Sequence, residues 1–432
     1  MDDIKAKSTQ INEQDHPTFG EAARYWIKLG FMSFGGPAGQ IAMMQTECVD
    51  RRGWISQGAF LRGLNYSMLL PGPEAQQLAA YIGWRLHGIK GALFAGTAFI
   101  VPGAILMIAL AWIAAAYGGE GAVAAVFEGI KPVVVAIVIA AVYRIGKRTC
   151  KGPVPLILAF AAFAALQFTH TPFPLIILIA GLAGIMIAKV MPHALTMGHG
   201  EHTVESVTHT RASDQSATKR FVIITTVFLL ALTIPSVLTV VIFGTAPFIN
   251  VLKLFISAAF VTFGGAYAVL PYVANAGVNV YGWLSGADMI NGLALAETTP
   301  GPLILVTTYV GFFAGWSNGG LSTAIISAVL TTYVTFLPSF YLIIAGAPYV
   351  ESVQRFAWAR NALSAITAAV VGVILNLAIF LGRAAFFDQS GNVHWISMAA
   401  AAISLALLIS NKLSIPMLVA IGAAFGLVRI WI

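Results

Sequence analysis

Three short landmarks occur twice in this chain at one spacing of 229 residues. Phe34-Gly35-Gly36 returns as Phe263-Gly264-Gly265, Gly53-Trp54 as Gly282-Trp283, and Pro71-Gly72-Pro73 as Pro300-Gly301-Pro302. Further along, the spacing widens to 236 (Pro102 with Pro338) and then to 242 (Pro174 with Pro416, Gly184 with Gly426), as small loop insertions produce. Landmarks kept in register over this distance are the mark of a duplicated unit. The first unit covers 19–190 and the second 244–432. A polar tail (1–18) precedes them, and a polar linker (191–220) and an apolar segment (221–243) lie between.

The solvent for such a unit follows from its charge. Only 9% of the 432 residues are charged and 58% are hydrophobic, whereas a soluble domain carries about 25% charged residues. Lipid must cover most of the surface, so the fold class is an all-α polytopic membrane protein. Each unit has four apolar stretches of spanning length, preceded by two stretches broken by Gly and Pro, and residues 221–243 add one more span. If the broken stretches all cross, there are thirteen spans; if all fold back as re-entrant hairpins, there are nine spans and four hairpins. In both cases the first unit contributes an even number and the connecting helix one, so the two repeats are expected to have inverted topology.

Eighteen of the 24 Lys and Arg lie in the first 220 residues. Excess Lys and Arg mark cytoplasmic loops, which places the N-terminus in the cytoplasm of a cell whose plasma membrane holds the chain. Arg144, Lys147, Arg148, Lys151, Lys189, Arg211, Lys219, Arg220, Arg355, Arg360 and Lys412 then fall in cytoplasmic loops. Arg51, Arg52 and Arg62 lie outside if the broken stretches cross and inside if they fold back, so the same preference favours hairpins.

Several function classes find no support. The net charge of +7 reflects loop charge, so no nucleic acid is expected. Cys48 and Cys150 form no disulfide framework, and the N-terminus lacks the apolar core of a signal peptide. His193, His199, His202 and His209 fit no metal motif and read as solvated linker. No phosphate loop, Ser/His/Asp pattern or HExxH occurs. The chain is therefore expected to be no enzyme and to hold no cofactor or metal.

The broken stretches carry the chemistry. Ser33-Phe34-Gly35-Gly36-Pro37 and Pro71-Gly72-Pro73 interrupt helices in the first unit. Gly264-Gly265 and Thr298-Thr299-Pro300-Gly301-Pro302 do so in the second. Proline removes a donor and glycine frees the backbone, so a helix stops and restarts there, with Pro73 and Pro302 in the first turn of the new helix. A restarted helix offers unpaired N–H groups and partial positive charge to an anion, and paired broken segments point to a midplane transport site. The candidate substrate-binding residues are Ser33, Gly35, Gly36, Pro37, Pro71, Gly72, Pro73, Gln76, Gln77, Gly264, Gly265, Thr298, Thr299 and Gly301. Arg51, Arg52, Arg62 and Arg85 are candidates for attracting anions, and Glu74 and Glu297 for carrying a coupled proton. The other reading of the same pattern is kinks and close packing. Glu128 and Lys131 read as an interfacial pair.

FMSFGGPAGQIAMMQTE, RRGWIS and LLPGPEAQQLAAYIGWRLHGIKGAL in the first unit, with FVTFGGAYAVLPYV and ETTPGPLILVTTYVGFFAG in the second, resemble the chromate ion transporter (CHR) family in its long, fused form. The resemblance covers both units. It implies secondary active transport of a tetrahedral oxyanion, usually chromate leaving the cytoplasm on the membrane potential or the proton gradient, with sulfate as a mimic. The family's motif residues map to Gly35, Gly36, Pro37, Glu47, Arg51, Arg52, Trp54, Pro71, Gly72, Pro73, Gln76 and Gln77. In the second unit Ala266 replaces Pro37 and no basic pair faces Arg51-Arg52. An anion channel, a sulfate or molybdate carrier and a membrane-embedded enzyme are the rival readings, and a homodimer is compatible with the pattern.

Overall fold

Glycine and proline decide where the helices of this chain stop. The computed structural model describes residues 17–34, 36–169, 171–191, 214–350, 357–388 and 390–429. The four linker histidines, Gly35, Arg211 and Arg355 lie outside them. The helices in order are α1 (Phe19–Met32), α2 (Gly36–Gln45), α3 (Gln57–Leu69), α4 (Glu74–Tyr117), α5 (Gly121–Thr149), α6 (Pro153–Phe168), α7 (Phe173–Val190), α8 (Asp214–Phe243), α9 (Phe248–Val261), α10 (Ala266–Asn275), α11 (Gly286–Thr298), α12 (Val306–Gly346), α13 (Ala357–Phe386), α14 (Trp395–Ile409) and α15 (Ile415–Val428). No strand is present among the described residues. Six helical segments are long and apolar enough to cross a membrane, and the chain is an all-α polytopic membrane protein.

The opening elements of both units match one for one. Helices of 14, 10 and 13 residues recur in the same order (α1, α2, α3 and α9, α10, α11), and a π-helical turn follows both α2 (Thr46–Arg51) and α10 (Ala276–Val280). A 14-residue helix is about 21 Å long, short of the ~30 Å hydrocarbon core.

These short helices fold back. α1 runs from Pro17, whose carbonyl lies 2.9 Å from His87 Nε2, to Ser33. α2 and its π-turn then return, because Arg52 pairs with Glu21 at 3.2 Å and Trp54 meets the Tyr25 ring edge-on at 5.5 Å. α3 and the start of α4 form a second hairpin about Gly72. A Cβ at Gly63 would strike the Tyr81 ring, and in the second unit a Cβ at Gly292 would strike Tyr309. α4 itself reverses at His87-Gly88 and α12 at Gly319-Gly320, where the backbone leaves helical geometry. Gly83 and Gly91 meet backbone to backbone across the first reversal.

Beyond the hairpins the helices alternate between two ends of the molecule. Arg144, near the end of α5, donates to Leu408 O at 2.9 Å at the end of α14. At the opposite end of α5, Gly129 lies against Gly422 and Gly426 of α15, with no room for a side chain between the backbones. Close glycine contact is how helices associate where lipid supplies no hydrophobic drive. α8 stands apart: only 11% of its apolar window is buried, so most of its surface is left for lipid.

Candidate functional site

The four helix breaks meet at the middle of the molecule in a reciprocal crossing. Gly72 N–H donates to Thr262 O at 2.8 Å, and Gly301 N–H donates to Ser33 O at 3.2 Å. The two bonds join corresponding positions, so each Pro-Gly-Pro turn is tied to the residue before the other unit's Phe-Gly-Gly. Ser33 Oγ also accepts from Gly301 N–H at 2.9 Å. Gln40 Nε2 fastens the same point, donating to Ser33 O at 2.9 Å and Gly301 O at 2.7 Å. In the second unit the register position of Gln40 is Val269, so only one of the two contacts carries this side-chain brace.

The crossing changes the roles expected of the predicted residues. Gly72 and Gly301 spend their N–H groups on the partner unit. Pro73 and Pro302 each sit one residue before the first helical turn. Gly36 and Pro37 open α2 and are partly exposed. Pro71 O accepts from Gln77 Nε2 at 2.8 Å. Gln76 and Gln77 are fully buried; Gln77 Oε1 and both amide atoms of Gln76 have no hydrogen-bond partner. Thr298 Oγ1 donates to its own helix at Ala294 O, and Thr299 is buried at the α11 C-cap.

Glu74 and Glu297, placed on opposite sides of their Pro-Gly-Pro turns in sequence, both converge on the break of the second unit. Glu74 Oε1 lies 2.8 Å from where a Cβ on Gly265 would stand. Glu297, 8% exposed, accepts a hydrogen bond from Tyr267 Oη. Gly264 beside them has φ of 82° and faces Thr367. Two arginines, Arg144 and Arg148, lie exposed on the last turns of α5, Arg144 bonded to Leu408 O. The sequence reading put both arginines in a loop. Their spacing of four, on the last turns of an apolar helix, was the available signal, because it sets both on one face. Tyr267 and Gln40 gave no comparable signal.

The basic residues near the first hairpin are placed differently. Arg52 donates to Glu47 at 2.7 Å and Glu21 at 3.2 Å, and its guanidinium stacks 4.9 Å from the Trp54 ring. Arg51 pairs with Glu47 at 3.0 Å. Arg62 is partly exposed on α3, and Arg85 is exposed beside the His87 reversal. The Arg52 hydrogen bond, with the Arg51 charge, holds Glu47 below the usual carboxylate range. This stabilisation is present above the ordinary carboxylate pKa and is lost as pH falls through the lowered value. Melting temperatures of the wild type and Glu47→Gln should therefore differ at neutral pH and converge in acid. Arg52→Lys loses the fork and the ring contact and should cost about 1–2 kcal/mol of stability; Arg51→Lys, with 71% of its side chain exposed, should cost little.

Paired helix breaks that meet where two units cross are the pattern of membrane transporters. The chromate transporter family model matches residues 20–185 and 249–427, and the chain belongs to this family. A chromate transport protein of Pseudomonas aeruginosa is 31% identical over 406 residues, 93% of this chain and 90% of its own. A probable chromate transport protein of Synechococcus elongatus is 26% identical over 96% of both chains. A chromate transport protein of Cupriavidus metallidurans is 26% identical over 95% of this chain and 93% of its own. No solved structure matches the chain.

Proposed function

We propose that this protein is a secondary active exporter of a tetrahedral oxyanion, with chromate the first candidate and sulfate the nearest mimic. The observation that carries the reading is the seat of Glu74. α4 begins at Glu74 and α10 at Ala266, and neither helix start is capped by a side chain. The Glu74 carboxylate stands between these two starts, against Gly265. Helix starts favour negative charge, so the chain's own carboxylate holds the position that suits an oxyanion. When Glu74 takes up a proton, an oxyanion replaces it as the charge at the two helix starts, and Arg148 and Arg144 supply the compensating charge. Proton and anion thereby share one site, which couples their movements.

The two units act as inverted repeats in a bacterial plasma membrane, with nine crossings and four hairpins. The end of the molecule holding Pro17, Arg52, His87, Arg148, Lys189, Lys219, Arg360 and Lys412 is cytoplasmic, since the other end carries few cations, among them Lys253, Arg383 and Arg429. Export starts where Arg144 and Arg148, both exposed, face the cytoplasm and concentrate anions.

The test is uptake of labelled chromate into inside-out vesicles, with unlabelled chromate, sulfate and molybdate as competitors. Saturable uptake that responds to an imposed pH gradient, with chromate the strongest competitor, is the expected result. Failure of every oxyanion to compete, or discrete unitary currents in planar bilayers, would overturn it.

A further inference from the structure

A ridge of α12 carries a hydroxyl every fourth residue: Thr323, Ser327, Thr331, Thr335 and Ser339. Neighbours four apart share a face, and the row of five winds slowly around the helix. Thr323 is partly exposed beside the Gly319-Gly320 reversal, and the other four are at most 1% exposed. At the inner end Ser339 Oγ packs against Gly72 of the crossing, and Gln77 Nε2 lies 2.7 Å from where a Cβ on Gly72 would stand. The file therefore runs from one end of the molecule to its centre.

Three of its members differ from the other hydroxyls here, whereas Thr323 bonds Gly319 O four residues back. In membrane helices Ser and Thr usually satisfy themselves on the carbonyl four residues back. Ser67, Thr239, Thr298, Thr332 and Thr367 all do so. Ser327 Oγ, Thr331 Oγ1 and Thr335 Oγ1 instead are buried with no hydrogen-bond partner in the protein. Three consecutive unpartnered hydroxyls on one helix face are costly unless something polar sits between them. Water suits them, because a hydroxyl both donates and accepts, and polar cavities hold water whereas apolar ones stay dry. Gln77 Oε1 and the Gln76 amide, also unpartnered, extend the polar seam toward Glu74. In the first unit the register positions, taken from Pro102 with Pro338, are His87, Gly91, Ala95, Phe99 and Gly103, so no hydroxyl file exists there.

We propose that this hydroxyl file is a water-filled route by which protons move between the non-cytoplasmic face and the crossing. The route contains no titratable group of its own. Glu74, Glu297 and Tyr267 lie at the crossing it reaches, Arg144 and Arg148 lie exposed at the end of α5, and Tyr309 lies on the facing arm of α12. That protons are its cargo rests on the coupling proposed above; that it is wet does not.

Two measurements on the full chain in proteoliposomes test it. The first is silver-ion access to Thr331→Cys, read as free thiol lost beyond that of the wild type. Fully buried Ala328→Cys, on the neighbouring face, is the control. Thr331→Cys should react at least tenfold faster, and equal rates would show a dry file and overturn the proposal. The second compares the wild type with Thr331→Val/Thr335→Val for proton movement accompanying chromate, followed by an entrapped pH dye. The double variant should move protons at least tenfold more slowly, while its chromate-induced shift in melting temperature stays within twofold. Unchanged proton movement would overturn the route as a conduit. If the wild type carries chromate without moving protons, the coupling reading fails instead, and silver access still decides whether the file holds water.

Discussion

Replacing Gly72 or Gly301 with alanine should leave little folded, active protein. Their φ values are 125° and 99°, a region that costs an L-residue about 1–2 kcal/mol. A Cβ on Gly72 would press into Ser339 Oγ and Gln77 Nε2; one on Gly301 would lie 2.9 Å from Leu305 Cδ1 and 3.6 Å from Gly103 Cα. Overpacking adds about 1–3 kcal/mol, and a shift of either turn also strains its bond to the other unit. A loss of about 3–5 kcal/mol is large against the 5–15 kcal/mol that holds a typical protein folded. The measurement is yield and monodispersity in detergent, which should fall severalfold. Gly36→Ala is the control. It has φ of 71° but nothing within 4 Å of the added Cβ, so it should cost only the backbone term.

The second large effect concerns the carboxylates. Glu297→Gln keeps the size of the side chain and an oxygen for Tyr267 but removes the proton site. Glu74→Gln removes the charge that stands between two helix starts. Each should reduce pH-driven chromate flux at least tenfold. Glu74→Gln should also bind chromate at least as well as the wild type, because the anion no longer competes with a carboxylate. Tyr267→Phe should weaken the response less, since it loosens Glu297 without neutralising it. If both glutamine variants respond to an imposed pH gradient as the wild type does, neither glutamate carries the proton.

The scaffold was legible in the sequence because its determinants are local. Phe-Gly-Gly and Pro-Gly-Pro stop a helix wherever they stand, their repetition announces the second unit, and the low charge selects the solvent. What the sequence did not display was contact between distant residues. Gly72 meets Thr262, and Glu74 meets Gly265, across nearly two hundred residues. No local pattern foretells that Glu74 and Glu297 reach the same break, since only the crossing of the two units brings them together. Arg52 was read as a cation for attracting anions, whereas Glu47, five positions before it, and Glu21, 31 positions before it, both pair with it. The hydroxyls of α12 were hidden in a stretch that reads as an ordinary span, where Ser and Thr are tolerated because they satisfy themselves.

The reciprocal bonds at the crossing also constrain how the halves move. Each unit hooks the other at its own bend, like two links of a buckle. Pulling the units apart would break both hooks together and leave Gly72 N–H, Gly301 N–H and Thr262 O without a partner, each at a cost of several kcal/mol, while Ser33 O keeps its bond from Gln40. Tilting them about a line through the two hooks stretches neither bond much. On the transport proposed above, the working stroke is a seesaw: the outer ends of the helices swing through large arcs while the proposed anion seat, beside the fulcrum, barely shifts.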